Sequence, residues 1–178
     1  MSTKEQIERN AKNSLIGKNF EKLIARACKA YEAEGVAIIA KTPEPFTVLG
    51  RTKEGLFKGR FTAAKAQPDF QGTVKGGRSI VIEAKYTKSD RLRQNVLTDK
   101  QHDLLEADDQ MGAIVAVLCG IQDEYYMIPW QDWKDMKEEF GRKYVKQEDL
   151  QQFRIEKIKG NPLPFLTRYF EAQNVENE

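Results

Sequence analysis

Residues 68–85 read PDFQGTVKGGRSIVIEAK, and this stretch decides the fold that the rest of the chain has to support. Two runs rich in apolar and β-branched side chains, at 69–74 and 79–85, flank a glycine pair within 75–78. Short strands joined through adjacent glycines are typical of a β-hairpin. The sequence therefore predicts an antiparallel hairpin whose turn lies at the glycine pair.

Alternation along the second arm of this hairpin separates apolar from charged side chains. Side chains two residues apart in a strand share a face, so Ile80 and Ile82 are expected to point into the core. Glu83 and Lys85 then project from the opposite face, at the open end of an apolar strand. Because Asp69 begins the paired arm, the hairpin is predicted to bring two carboxylates and one ammonium group together.

These groups suit the hydrolysis of a phosphodiester bond. Asp69, Glu83 and the backbone carbonyl of Ala84 can hold Mg²⁺, which keeps several of its waters; we expect Mn²⁺ to substitute for it. Such an ion polarises a phosphate and lowers the pKa of a bound water. Lys85 can orient or deprotonate that water, or neutralise charge in the transition state. The alternative is a surface strand that ends in a Glu–Lys pair, with Asp69 in an ordinary turn.

The rest of the chain supplies helices and strands around the hairpin. Apolar side chains at helical spacing predict a helix over 15–34, which Gly35 ends. Thr98 begins another helix, in which Gln101 completes a capping box. The other predicted elements are strands at 36–41, 46–49, 113–119 and 125–128, and helices at 131–140, 148–153 and 165–172. This order predicts an α/β fold, a mixed central sheet flanked by helices in a single domain over 1–178, with a frayed tail at 173–178.

Composition excludes several classes of protein. The chain has 178 residues, of which 40 % are hydrophobic, and no apolar run approaches the ~18 residues needed to span a membrane. One histidine and two cysteines are too few for a structural zinc site. Cys28 and Cys119 lie in apolar surroundings and are expected to be buried free thiols. The polar N-terminus is unlike a signal peptide, so we expect a cytoplasmic protein without membrane partners.

Positive charge is concentrated in the middle of the chain. Residues 50–100 carry 12 basic and 5 acidic side chains, a net charge of +7, whereas the whole protein carries +2. Within this region, residues 50–67 combine three glycines with a single acid and are too long for an ordinary turn. We expect a protruding stalk or loop here. The charge itself fits either a localised polyanion site or a solvated basic face.

Taken together, these motifs resemble the PD-(D/E)xK nuclease superfamily and, within it, the RecU-type Holliday junction resolvases of bacteria and phages. The matching pieces occur in the order of that family and extend over about residues 13–140. They are GKNFE at 17–21, Phe61 before PDFQG at 68–72, IEAK at 82–85, Gln101-His102, and YMIP at 126–129. The resemblance implies a restriction-endonuclease-like fold.

The resemblance also implies roles for individual residues. Asp69 and Glu83 match the metal ligands and Lys85 the catalytic lysine, while Glu21 matches the acid on the first helix. Glu21 is either a further site residue or one of many exposed helix acids, and Gln101 either positions water or phosphate or serves only its capping box. The family's further acid before the stalk is missing, because no acid occurs in 48–51. The number of metal ions therefore stays open.

The stalk of these resolvases enters the centre of a four-way junction. By resemblance, basic side chains of the stalk contact phosphates, and two aromatic side chains stack on unpaired bases. The alternative for these aromatic side chains is packing against the sheet or a dimer partner. Basic residues after the second arm follow the DNA backbone near the cut. The basic residues of the stalk are Lys53, Lys58, Arg60 and Lys65, and its aromatic residues are Phe57 and Phe61. The basic residues after the second arm are Lys88, Arg91 and Arg93.

The resulting prediction is a homodimeric endonuclease that resolves four-way junctions in recombination and repair. Two-fold symmetry would place two equivalent sites on two strands of like polarity. Recombination proteins are possible further partners. Two alternatives stay open: a PD-(D/E)xK endonuclease of restriction or repair type that acts on other DNA, and a junction-binding accessory protein without catalysis.

Overall fold

The computed structural model describes residues 3–61, 67–156 and 158–170. Along the chain, the helices are α1 (Thr3–Ala33), α2 (Asp99–Gln110), α3 (Trp130–Lys134) and α4 (Met136–Phe140). The strands are β1 (Ala37–Lys41), β2 (Phe46–Arg51), β3 (Phe57–Phe61), β4 (Phe70–Val74), β5 (Ser79–Thr87), β6 (Arg91–Arg93), β7 (Ile114–Ile121), β8 (Glu124–Pro129) and β9 (Tyr144–Lys146). Among the described helices, none combines the length and apolar character needed to cross a membrane.

A five-stranded mixed sheet, ordered β1-β4-β5-β7-β8, forms the centre of the fold. The predicted hairpin is present, with Phe70 opposite Ile82 in the β4–β5 pair. β5 and β7 run parallel, with Glu83 beside Val117, whereas the other neighbours are antiparallel. A parallel pair needs a long crossover, and α2 lies within it. The predicted α/β class with a mixed central sheet is confirmed.

Helices cover both faces of this sheet. On one face, α1 packs Phe20 and Ile24 against Ile80 and Ile82. On the other face, Val81 packs in a second core with side chains from α2, α3 and α4: Leu105, Trp130, Trp133 and Met136. The two faces predicted for β5 therefore pack into two different cores. Both cysteines are buried free thiols, as predicted.

Several predicted boundaries were wrong. The first helix begins at Thr3 and not at residue 15, because its first turns hold good helix formers without an apolar stripe that periodicity would detect. The helix predicted over 131–140 is divided at Asp135 into α3 and α4, and the piece predicted at 148–153 is a 3₁₀ helix, Gln147–Phe153. The last helix begins at residue 167, and the described residues end at 170, so the predicted tail lies outside them.

The described part of the predicted stalk, residues 50–61, does not form a long loop. Phe57–Phe61 is a strand that pairs with Phe46–Arg51, and together these strands form a β-hairpin, hereafter the stalk hairpin. Gly59 is required for this pairing, because a Cβ atom there would overlap the carbonyl oxygen of Thr47. Strand pairing was missed because glycines and basic residues conceal the alternation of the second strand. Lys65 lies outside the described residues.

The segment between residue 85 and α2, for which no strand was predicted, contains one. β5 continues to Thr87, and Arg91–Arg93 forms a two-stranded ribbon with Tyr144–Lys146. These two strands are some 50 residues apart in the sequence. Local patterns carry no information about such a pairing, which explains why it was not predicted.

Candidate active site

The β4–β5 hairpin places Asp69 beside the end of β5. Asp69 directly precedes β4, and its Oδ2 accepts a hydrogen bond of 2.8 Å from the backbone N–H of Ala84. This bond fixes the Asp69 carboxylate next to Glu83. On the other side of Glu83, the Lys85 Nζ lies 2.7 Å from Glu83 Oε1. The two carboxylates and the ammonium group are therefore neighbours, as the sequence predicted.

Glu83 is buried, however, and does not lie at an open end. Its side chain is only 1 % exposed, because β7 flanks β5 and α2 covers this face of the sheet. Burial raises the pKa of Glu83 from 4.5 to about 7; the Asp69 charge adds to this effect, and Lys85 opposes it. Glu83 Oε2 accepts no hydrogen bond from any described residue. A buried carboxylate oxygen without a hydrogen-bond donor destabilises the fold, and a bound cation would offset this cost.

Gln101 forms the predicted capping box and also contacts Glu83, while its role toward water or phosphate stays a prediction. Its side-chain oxygen accepts the Thr98 N–H at 3.1 Å, which completes the capping box at the start of α2. The same amide turns its Nε2 toward Glu83 and donates a hydrogen bond to Oε1. The cap thereby orients the amide that holds Glu83. His102, the next residue, instead contacts the Trp130 ring edge-on at 4.8 Å between centroids.

Glu21 does not join the two carboxylates. It lies on α1, which covers the Ile80–Ile82 face, whereas Glu83 projects from the opposite face. Its Oε2 is 2.6 Å from Lys41 Nζ, and this hydrogen bond raises the pKa of Lys41, with smaller contributions from the charges of Glu21 and Asp69.

Lys41 was missed by the sequence analysis. It ends β1 directly opposite Phe70 and next to Asp69. Only the pairing of β1 with β4, which the sequence did not predict, brings it to the site.

The residues present fit one divalent cation. Within the described ranges, no three His, Cys, Asp or Glu side chains cluster closely enough to hold a metal ion. Asp69 and Glu83 nevertheless form a close pair, and Glu83 offers an unpartnered buried oxygen. Two carboxylates with the ion's own waters form a common Mg²⁺ site.

The raised pKa of Glu83 predicts how stability changes with pH in the metal-free protein. A carboxyl group whose folded pKa lies above its unfolded value stabilises the fold fully below about pH 4.5, and this contribution is lost as the pH rises through about 7. For a rise from 4.5 to about 7 in an almost fully buried group, the contribution is about 3 kcal/mol. Glu83→Gln stays neutral, so in EDTA it should gain stability over the wild type as pH increases from 5 to about 8.

Urea unfolding at several pH values in EDTA measures this difference. Glu32→Gln, on the exposed last turn of α1, is the matched control and should follow the wild type. A constant difference between Glu83→Gln and the wild type across pH would contradict the prediction. Added Mg²⁺ should stabilise the wild type most at high pH and should not stabilise Glu83→Gln.

Comparison with known proteins identifies the family. A family model described as RecU, Recombination protein U, matches residues 15–171. The match includes residues 15–33 of α1, the 68–85 hairpin and α2. The chain belongs to the RecU family. RecU proteins are Holliday junction resolvases, and this chain is accordingly a Holliday junction resolving endonuclease of recombination.

A search of solved structures found Hjc of the archaeal hyperthermophile Archaeoglobus fulgidus, described as a Holliday junction resolvase. It superposes with a TM-score of 0.48 at 15 % sequence identity, over 77 % of this chain and 93 % of that chain. A search of curated protein sequences found no match.

In this RecU chain, the stalk hairpin presents the residues that the resemblance assigned to DNA. Every residue of Phe46–Arg51 is exposed. Phe57 is 60 % exposed, and the Arg51 guanidinium lies 4.7 Å from the centre of its ring. Lys53 lies in the turn, and Lys58 and Arg60 lie exposed on β3. For Phe61 the structure describes only the backbone.

The other residues assigned to DNA follow the active-site strand of RecU. Lys88 is exposed immediately after β5, and Arg91 and Arg93 lie on β6. Arg91 forms a two-pronged contact with Asp90, at 3.0 and 3.2 Å. These basic side chains are therefore outside the buried site and close to it along the chain.

Proposed function

We propose that this RecU protein cuts each strand by Mg²⁺-dependent hydrolysis at Asp69 and Glu83, with the carbonyl of Ala84 as a further ligand and Mn²⁺ as a substitute. The unpartnered, buried Oε2 of Glu83 beside Asp69 is the observation that carries the proposal. When bound, the ion polarises the scissile phosphate and lowers the pKa of the attacking water. Because the described residues gather two carboxylates and not three, one ion per site is expected.

Lys85 stabilises the charge that develops on the phosphate. In the structure its ammonium group lies 2.7 Å from Glu83 Oε1 and is partly exposed. A cation fixed beside the reacting group contributes without reorganisation during the reaction. We also propose that Lys85 orients or deprotonates the attacking water.

Gln101 and Glu21 have supporting roles in this proposal. Gln101 is a positioning residue, because its amide holds Glu83 and is itself held by the cap of α2. Glu21 acts from the edge of the site, where its charge is offset by Lys41. In this proposal Glu21 is not one of the direct metal ligands.

The stalk hairpin is proposed to enter the centre of the junction. Lys53, Lys58 and Arg60, together with Lys65 outside the described residues, contact phosphates, and Phe57 and Phe61 stack on bases that are unpaired at the crossover. The exposed ring of Phe57 supports this role. Lys88, Arg91 and Arg93 follow the backbone near the cut.

Replacement of the β3 cations should weaken junction binding in a salt-dependent manner. Lys58→Ala with Arg60→Ala removes two exposed charges, so the slope of log K against log salt should fall by about 2. Fluorescence anisotropy with a labelled junction, titrated at several salt concentrations, measures the slope. An unchanged slope would show that β3 does not contact phosphate. Lys75→Ala with Lys159→Ala, two exposed lysines outside this hairpin, provides the control of equal charge.

We also propose that RecU acts as a homodimer in the cytoplasm of a bacterial cell or phage-infected host. Resolution requires two cuts on strands of like polarity, which a two-fold dimer provides. A two-stranded hairpin is only marginally stable alone, and the stalk hairpin exposes Val48 and Leu49. A second copy would cover such side chains. Sedimentation equilibrium tests the dimer.

Cleavage of a labelled four-way junction and a matched linear duplex, with Mg²⁺ and with EDTA, tests the proposed function. Metal-dependent, symmetric nicks in the junction alone are expected. Equal cutting of both substrates would indicate a general endonuclease. Cutting in EDTA would contradict the metal assignment, and junction binding without cleavage in either Mg²⁺ or Mn²⁺ would indicate an accessory protein.

A further inference from the structure

The ribbon of β6 and β9 has one apolar and one basic face. Its register pairs Leu92 with Val145, and both side chains are buried in the core on the α2 face of the sheet. Alternation then places the flanking residues on the outer face. These residues are Arg91, Arg93, Tyr144 and Lys146. We call this outer face the basic ribbon.

Tyr144 lies between arginines on the basic ribbon. The guanidinium carbons of Arg91 and Arg142 lie 5.2 and 4.8 Å from the centre of its ring. Arg142 is held in place by a 2.6 Å ion pair with Asp149. Because two cations already contact the ring, Tyr144 is not a free platform for a base. The arrangement favours contacts with phosphate over stacking.

The cations of the basic ribbon, and Lys143 directly before β9, are available to bind phosphate. Arg91 pairs with Asp90, and Lys146 lies 3.7 Å from Glu148; partly exposed pairs of this kind contribute little. Within the described part of the chain, Arg93 and Lys143 have no ion-pair partner within 4 Å. Both are exposed, so phosphate oxygens can bind them without breaking an existing contact.

Position connects the basic ribbon to the active site. β6 begins six residues after Lys85, and a cleft of about 770 Å³ separates the ribbon from the first turns of α2. Gln101 in this part of α2 holds Glu83. The ribbon is anchored, because the Gln94 amide donates to the carbonyls of Trp133 and Lys134 at 2.9 Å each. An anchored cationic surface therefore faces the start of α2, the helix that carries Gln101.

We infer that the basic ribbon is a DNA-binding surface that holds the sugar-phosphate backbone of one duplex arm next to the cut. This inference rests on the proposed function and extends it to the C-terminal half of the chain, through Arg142, Lys143, Tyr144 and Lys146. Arg91 and Arg93 are about 6.6 Å apart along the strand, and each strand of duplex DNA carries one phosphate per ~3.4 Å of helix axis. The ribbon thus spans two or three phosphates.

The test replaces the two cations without an ion-pair partner in a cleavage-deficient Asp69→Asn background. Arg93→Gln with Lys143→Gln should weaken junction binding about tenfold and reduce the salt slope by about 2. Hydroxyl-radical footprinting should lose protection on one arm next to the cut and keep it at the crossover.

Two further variants isolate the effect of charge at the ribbon. Lys75→Gln with Lys159→Gln removes equal charge away from the ribbon and should change neither affinity nor footprint. Arg93→Lys with Lys143→Arg keeps the charges and should retain wild-type binding. Affinity, slope and footprint equal to those of the Lys75/Lys159 control would overturn the inference.

Failure of the proposed function has a different signature. If the wild type does not prefer junctions, the same variants are compared on a linear duplex. Weaker duplex binding by the ribbon variants would support the ribbon as a DNA-binding surface, and unchanged duplex binding would overturn that inference.

Discussion

Asp69→Asn and Glu83→Gln should each reduce junction cleavage by about 1000-fold or more, while junction binding is retained or strengthened. Each change removes a carboxylate from the pair that holds the cation. Each also removes a negative charge next to the position of the scissile phosphate, which explains why affinity should not fall. Both amides can still make the hydrogen bonds seen in the structure, because an amide oxygen accepts from the Ala84 N–H or from Lys85.

Single-turnover cleavage of a labelled junction, together with anisotropy binding in Ca²⁺, measures both parts of this prediction. Glu32→Gln removes an exposed acid of α1 and should leave both quantities unchanged. Full activity in either active-site variant would exclude that residue as a metal ligand. Loss of binding together with loss of melting cooperativity would instead indicate a folding defect, which the urea experiment in EDTA detects independently.

Removal of the stalk hairpin should have the second largest effect. Phe46 and Phe61 are directly paired, so residues 47–60 can be replaced by two glycines that close a short turn. The shortened protein loses Lys53, Lys58 and Arg60 together with Phe57. We expect kcat/KM on the junction to fall by about 100-fold or more, because both phosphate contacts and stacking are lost.

The active site itself should survive this deletion. The central sheet forms its ladder without β2 or β3; Glu83 lies in that sheet, and Asp69 directly precedes its strand β4. Stabilisation by Mg²⁺ in a thermal melt should therefore match that of the wild type. Glu54→Gln, an exposed change in the hairpin turn, serves as the control with the hairpin intact. Undiminished junction cleavage by the shortened protein would contradict a role for the stalk hairpin in junction recognition.

The core of the site was predictable because its information is local. The strand period of two puts Ile80 and Ile82 on one face and Glu83 and Lys85 on the other, and the glycine pair sets the turn that returns the chain to Asp69. The capping box at Thr98 and Gln101 was equally local. The stalk hairpin was only partly foreseen, because its second strand has no clear alternation.

By itself, the sequence determined the 68–85 hairpin, the two-sided β5 strand, the capping box and the grouping of Asp69, Glu83 and Lys85. The tertiary structure alone decided that Glu83 is buried with a raised pKa and that Gln101 donates a hydrogen bond to it. It also decided that Glu21 pairs with Lys41 and not with the other two carboxylates, and that β6 pairs with β9. The physical reason is range. Periodicity and turns act over a few residues, whereas burial and pairing depend on segments that meet only after the sheet and its two cores have formed.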